Sequence, residues 1–115
     1  MIQEKSFEFA LKIIKLYQSL IQQNEFVISK QLLRSSTSVW ANIEEASAGQ
    51  TKKDFHTKMS IASKEARETR YWLRLLEKSS LVNIPMIEYL SEIEEIIKIL
   101  TKIVKTTSEN ITKKQ

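Results

Sequence analysis

Cysteine is absent from this 115-residue sequence, and glycine, proline and histidine occur once each, as Gly49, Pro85 and His56. Without cysteine there can be no disulfides, no thiolate metal sites and no cysteine nucleophile. A β-rich chain of this length turns often, and tight turns draw on glycine, asparagine and proline. Their scarcity points instead to few turns and long helices. One histidine cannot build a paired-histidine metal site or the two Glu-x-x-His motifs of a di-iron bundle. Also missing are a phosphate-binding loop, a dinucleotide fingerprint and a nucleophile elbow. No metal, cofactor or catalytic residue is expected, and the chain is read as non-enzymatic. No apolar run reaches the length of a membrane span. Met1-Ile2-Gln3-Glu4-Lys5 lacks the basic and apolar regions of a secretory signal, so the expected compartment is the cytoplasm. In that compartment the sequon Asn110-Ile111-Thr112 is a chance match.

What is present favours a single domain over residues 1–115. Apolar residues make up 42% of the chain, enough for one buried core and too few residues for two. Four segments repeat apolar residues at helical spacing, over residues 3–22, 26–48, 52–80 and 84–105. In the first, Phe9, Ile13, Leu16 and Leu20 share a face, with Ala10, Ile14, Tyr17 and Ile21 beside it, and Asn24 marks a break. In the second, Ile28, Leu32, Val39, Ile43 and Ala46 share a face bordered by Ser35 and Asn42, and Gly49 is the expected stop. Thr51-Lys52-Lys53-Asp54 resembles a capping box at the head of the third. Its core stripe is Phe55, Ala62, Ala66, Thr69, Leu73, Leu76 and Ser80. Asn83 and Pro85 suit the start of the fourth, where Met86, Leu90, Ile93, Ile97, Leu100 and Val104 alternate by four and three. The polar stretch 106–115 reads as a frayed tail. The fold class is all-α: an antiparallel up-down-up-down four-helix bundle.

The net charge of +4 is modest, so its distribution matters more than its size. At about 100° per residue, Lys53, Lys64, Arg67, Arg70, Arg74 and Lys78 fall on one arc of the third helix, together with His56, Ser60, Ser63 and Tyr71. The acids Asp54, Glu65, Glu68 and Glu77 fall outside it. Such a stripe, roughly 37 Å long, can follow a phosphate backbone. Bundles also carry lysine and arginine on solvated outer faces, and both readings stand at this point. Glu44 and Glu45 on one helix and Glu65 and Glu68 on another could form an acid–base pair or a cation site, against the plainer reading of ion-paired surface charge. His56, with no histidine or cysteine companion, reads as a surface or interface residue.

Ile61, Trp72 and Leu75 make a second apolar strip on the third helix, and Trp40 and Leu33 flank the core face of the second. These large side chains either widen the core or meet another subunit. Arg34, Ser38, Ala41 and Glu45 form a further stripe. Arg34 and Glu45 lie about 16 Å apart along one helix and so must pair across helices or subunits. The candidate oligomer interface is therefore Arg34, Trp40, Glu45, Ile61, Trp72 and Leu75.

The stretch from Gln31 through Leu32-Leu33-Arg34-Ser35-Ser36-Thr37-Ser38-Val39-Trp40-Ala41-Asn42-Ile43-Glu44-Glu45 to Ala46 resembles the signature of the four-helix-bundle family named for open reading frames in 23S rRNA intervening sequences. Asp54-Phe55 and the run from Ile61 to Leu73 resemble that family's third helix, and the likeness covers nearly the whole chain. Trp40 departs from the pattern, which usually has a small residue there. The resemblance implies a bacterial cytoplasmic protein that assembles as a homopentameric ring, with no known enzyme activity. A related branch serves as accessory subunit of diversity-generating retroelements, where a basic pentamer engages reverse transcriptase and nucleic acid. Three functions are thus weighed for this chain. One is a nucleic-acid module, binding RNA or DNA through the basic arc. Another is a protein-interaction scaffold, docking an acidic partner on Trp72, Leu75 and the basic face. The third is a carboxylate enzyme using Glu45, Glu65 and Glu68.

Overall fold

Each of the four apolar periodicities becomes a helix in the computed structural model, which describes residues 1–113. They are α1 (Ile2–Gln22), α2 (Ile28–Ser47), α3 (Lys52–Ser79) and α4 (Ile87–Lys113), and no strand occurs among the described residues. The stripes meet along a common axis: Phe9, Ile13, Leu16 and Leu20 from α1, Leu32 and Ile43 from α2, Leu73 and Leu76 from α3, and Ile93, Ile96 and Leu100 from α4 are all buried. Each large aliphatic or aromatic side chain buried in this way stabilises the fold by about 1.5–3 kcal/mol before entropy is counted. The bundle measures 52 × 22 × 22 Å.

The seams between helices are unequal. α2 and α3 make the most intimate one, and α1 and α4 the sparsest. Small residues explain the first: Ser35 and Ser36 of α2 and Ala62, Ala66 and Thr69 of α3 are all fully buried. Thr69 Oγ1 lies 2.9 Å from both Ser35 Oγ and the Glu65 carbonyl, so this polar pair is satisfied inside the core. Along this seam Arg34 meets Glu65 and Glu68, and Glu45 meets Lys58, so residue numbers rise on one helix as they fall on the other. The α1–α4 seam is bridged at its rim by Lys5–Glu95, at 2.6 Å, and by Lys12–Glu92.

The helix ends depart from expectation in instructive ways. Asn24 takes a left-handed conformation (φ 64°), which ends α1. α2 begins at Ile28 rather than Phe26, because the Glu25 carboxylate accepts the backbone N–H groups of Val27, Ile28 and Ser29 at 2.6–3.2 Å. That carboxylate satisfies orphan donors and also sits at the positive end of the helix dipole. Gly49 does follow α2, but not in a left-handed conformation. Its N–H donates to the Ala46 carbonyl at 3.0 Å. A Cβ there would stand 3.1 Å from that same oxygen, so close approach is what calls for glycine. At α3 the expected cap forms, with Asp54 N–H donating to Thr51 Oγ1 at 3.0 Å.

Ser80 is not a core residue. It is the exposed left-handed C-cap of α3 (φ 58°), and Met59 and Ser63 are buried on α3 instead. Pro85 lies before α4 rather than in its first turn, since the first carbonyl acceptor is Met86, bonded by Leu90 N–H at 3.0 Å. The proline disfavours helical geometry at the preceding residue, Ile84, so the helix does not begin there, and its first residue is Ile87. Nor does α4 fray near residue 105: it is helical to Lys113. Thr107 Oγ1 bonds the Val104 carbonyl at 3.1 Å and meets His56 Nδ1 at 2.7 Å, tying the extension to α3. The last two residues of the expected tail, Lys114 and Gln115, lie outside the described residues.

Candidate nucleic-acid interface

The third helix sorts its charges by the neighbour each faces. On the side towards α4, Arg70 pairs with Glu94 at 2.7 Å and Arg67 donates to Thr101 Oγ1 at 2.9 Å. The Arg70 hydrogen bond, helped by the charges of Arg70, Lys98 and Arg74, holds the Glu94 carboxyl below its ordinary value. On the outward side, Lys53, Lys64 and Arg74 are exposed and have no carboxylate within ion-pair distance among the described residues. Lys78 is largely exposed, with Glu77 at the 4.0 Å limit of contact. Arg67, Arg70, Tyr71, Arg74, Leu75 and Lys78 line one open groove of about 380 Å³. Five of these six are cationic or aromatic. Four of the six residues of the sequence-defined arc thus meet around one depression, while Lys53 and Lys64 lie on α3 outside its lining.

On the side towards α2 the acids are neutralised. Glu65 lies 3.3 Å from Arg34, Glu68 also pairs with Arg34, and Glu45 pairs with Lys58 at 2.9 Å. Arg34 and Glu45 therefore find partners across helices of the same chain. Each of the three carboxylates singled out in the sequence, Glu45, Glu65 and Glu68, is thus ion-paired. Among the described residues, no cluster of histidine, aspartate and glutamate is placed to hold a metal ion.

The apolar candidates separate. Trp72 is half-buried against the core, and its Nε1–H donates to Glu68 Oε2 at 2.9 Å. Its ring meets that of Tyr71 edge to face, with centroids 4.9 Å apart. Ile61 is 37% exposed. Leu75 lines the basic groove, so this one member of the apolar strip shares a face with the cations. Trp40 lies at the α1–α2 seam, its ring 5.4 Å from Phe7. A second open groove of about 380 Å³ runs there, walled by Phe7, Leu11, Ile14 and Trp40 and bordered by Arg34, Thr37, Ser38 and Ala41. Phe7, Leu11 and Ile14 are all 40% exposed or more.

The 23S rRNA-intervening sequence protein family model matches residues 1–102. The chain belongs to that family. A solved structure of a protein of unknown function from the S23 ribosomal protein family, from Bacteroides thetaiotaomicron, is similar over 91% of this chain and 99% of its own, at 46% identity and a TM-score of 0.86. No curated protein matches. Among the described residues, no helix is long and apolar enough to cross a membrane.

Within this 23S rRNA-intervening sequence family member, the Trp40 departure acquires a physical account. Its indole fills the space over Phe7, and the neighbouring Asn42 stays satisfied by donating to the Ser38 carbonyl at 2.9 Å. The i, i+4, i+7 spacing of Phe7, Leu11 and Ile14 was the signal that could have found the groove. In the sequence that spacing competes with the core stripe of Phe9, Ile13 and Leu16, and only packing decides which stripe is buried.

Proposed function

We propose that this protein is a non-enzymatic, cytoplasmic, homo-oligomeric module, an antiparallel up-down-up-down bundle whose α3 face associates with RNA or DNA. The observation that carries this reading is the gathering of Arg67, Arg70, Arg74 and Lys78 around one open groove, while two of the acids of α3, Glu65 and Glu68, are held by Arg34 on the side towards α2. Cations held on one face neutralise phosphates and release counterions, which gives binding that tolerates sequence and falls steeply with salt. The opposed residue numbering along the helix seams supports the antiparallel arrangement. The apolar groove at Trp40 supports self-association, because an exposed apolar surface of this kind is commonly covered by a partner; the pentameric number rests on the family resemblance.

The test is one sample measured twice: its mass in solution, then its affinity for RNA and DNA across a salt series. A variant carrying Arg67→Glu, Arg70→Glu and Arg74→Glu should keep its helicity and oligomeric mass and lose about 100-fold or more in affinity at low salt. Equal binding by the folded variant would overturn the reading. A protein-binding scaffold is the second reading, favoured by one observation. Phe26, Val27, Leu81 and Ile87 are each more than half exposed. The two loops near them are joined by the Asn83 N–H donating to Gln23 Oε1 at 2.8 Å. A pull-down partner retained after nuclease treatment and lost on Val27→Asp would support that alternative.

A further inference from the structure

The basic groove contains a feature that phosphate binding alone does not use. Tyr71 stands among Arg67, Arg74 and Lys78 with 55% of its surface exposed, on a helix whose other aromatic residues, Phe55 and Trp72, are half-buried. It is also held in place. Trp72 packs edge to face against its ring, Trp72 Nε1–H is fixed on Glu68, and Glu68 is fixed on Arg34. Leu75, one turn along, adds an apolar floor to the groove.

We infer that the groove takes single-stranded nucleic acid, with Tyr71 as a stacking platform for an unpaired base and Arg74 and Lys78 on the flanking phosphates; this rests on the nucleic-acid reading above. In a duplex the base faces are stacked on one another, and an outward phenol ring between cations meets only sugar and phosphate. In a single strand every base has an open face, and stacking on an aromatic ring tolerates any sequence. The alternation fits as well. From Arg67 to Tyr71 to Arg74 to Lys78 the steps are three or four residues, so cation, ring and cation follow one another every ~5–6 Å along one side of the helix. Arg67 and Arg70 are already bonded to Thr101 and Glu94, whereas Arg74 has no ion pair among the described residues and Lys78 meets only Glu77, at 4.0 Å, so these two are the more available to follow a flexible backbone. A ring positioned before the ligand arrives loses little freedom on binding.

The experiment compares fluorescein-labelled oligodeoxythymidine and oligouridine of roughly 20 nucleotides, somewhat longer than common single-strand sites, with a duplex of the same length, by anisotropy on the full chain. Wild type should bind both single strands more tightly than the duplex. Tyr71→Ala should weaken single-strand binding about tenfold and leave duplex binding nearly unchanged, and Tyr71→Phe, which keeps the ring, should restore it. Salt-sensitive binding that is lost on charge reversal but indifferent to Tyr71→Ala would overturn this inference and leave the basic-face reading intact. A preference for duplex would do the same. Absence of binding to every probe at low salt would overturn both.

Discussion

On α1 and α2 a groove is walled by Phe7, Leu11, Ile14 and Trp40; on α3 another is walled by Arg67, Arg70, Tyr71, Arg74 and Lys78. Their volumes are alike, about 380 Å³ each, so size does not distinguish their uses. Chemistry does. Water wets the first poorly, and its walls gain by being covered with apolar surface. The second is lined by Arg67, Arg70, Arg74 and Lys78, and these cations gain from an anion that brings enough negative charge to displace counterions. An apolar surface that would favour the proposed self-association is thus distinct from a cationic one that such association would leave open. One inventory of exposed large residues is therefore too coarse: Tyr71 and Leu11 are both large and exposed, yet they belong to different grooves.

The largest expected effect is on assembly. Leu11→Glu places a charge in the apolar groove at a residue that is 46% exposed, so the monomer should fold with a change within about 0.5 kcal/mol. The solution mass should fall to that of one 13.4 kDa chain, as read by light scattering; an unchanged mass would assign assembly to another face. Trp40→Ala removes the wall over Phe7. Full burial of tryptophan would cost about 3–5 kcal/mol on truncation, and this half-buried one should cost about half that, lowering Tm by roughly 10 °C. In the basic groove a single Arg74→Ala should leave Tm and mass alone and reduce the log–log salt slope of single-strand binding by about 0.7, the contribution of one phosphate. A larger slope change would mean that Arg74 also orders its neighbours.

The smallest effect concerns the rim of the basic groove at low pH. Arg70 lowers the folded-state pKa of Glu94 beneath its ordinary value of 4.5. The pair therefore contributes its full stability above that value and loses it as pH falls through the lower folded value. Because both side chains are substantially exposed, the contribution should not exceed about 1 kcal/mol. Acid unfolding of Glu94→Gln, followed by circular dichroism, should show a correspondingly shallower loss between neutral pH and pH about 3. A steeper loss would contradict the sign.

Much of the bundle was legible because a 3.6-residue period and scarce turn formers constrain a chain strongly. Phe9, Ile13, Leu16, Leu32, Leu73 and Leu100 could be assigned to the core from spacing alone. What escaped was decided by partners from distant segments. Thr106, Thr107 and Ser108 have weak helix propensity, yet Thr107 meets His56 and the helix continues past them. Glu25 caps α2 from three residues before its first helical position, a reach that the usual pattern of one capping side chain does not anticipate. The basic arc was legible as an angle on a helix. That Arg67 and Arg70 are engaged by Thr101 and Glu94 was not, because the angle does not say what α4 presents.

Arg34 borders the apolar groove, and its guanidinium holds Glu68, which holds Trp72, whose ring backs Tyr71 in the basic groove. Four side chains thus connect the two surfaces without a break. Were copies to associate at the apolar groove as proposed, thermodynamic reciprocity would set a rule for the assembly. Whatever factor a neighbouring copy beside Arg34 imposes on affinity at Tyr71, a ligand at Tyr71 must return to the cohesion of the copies.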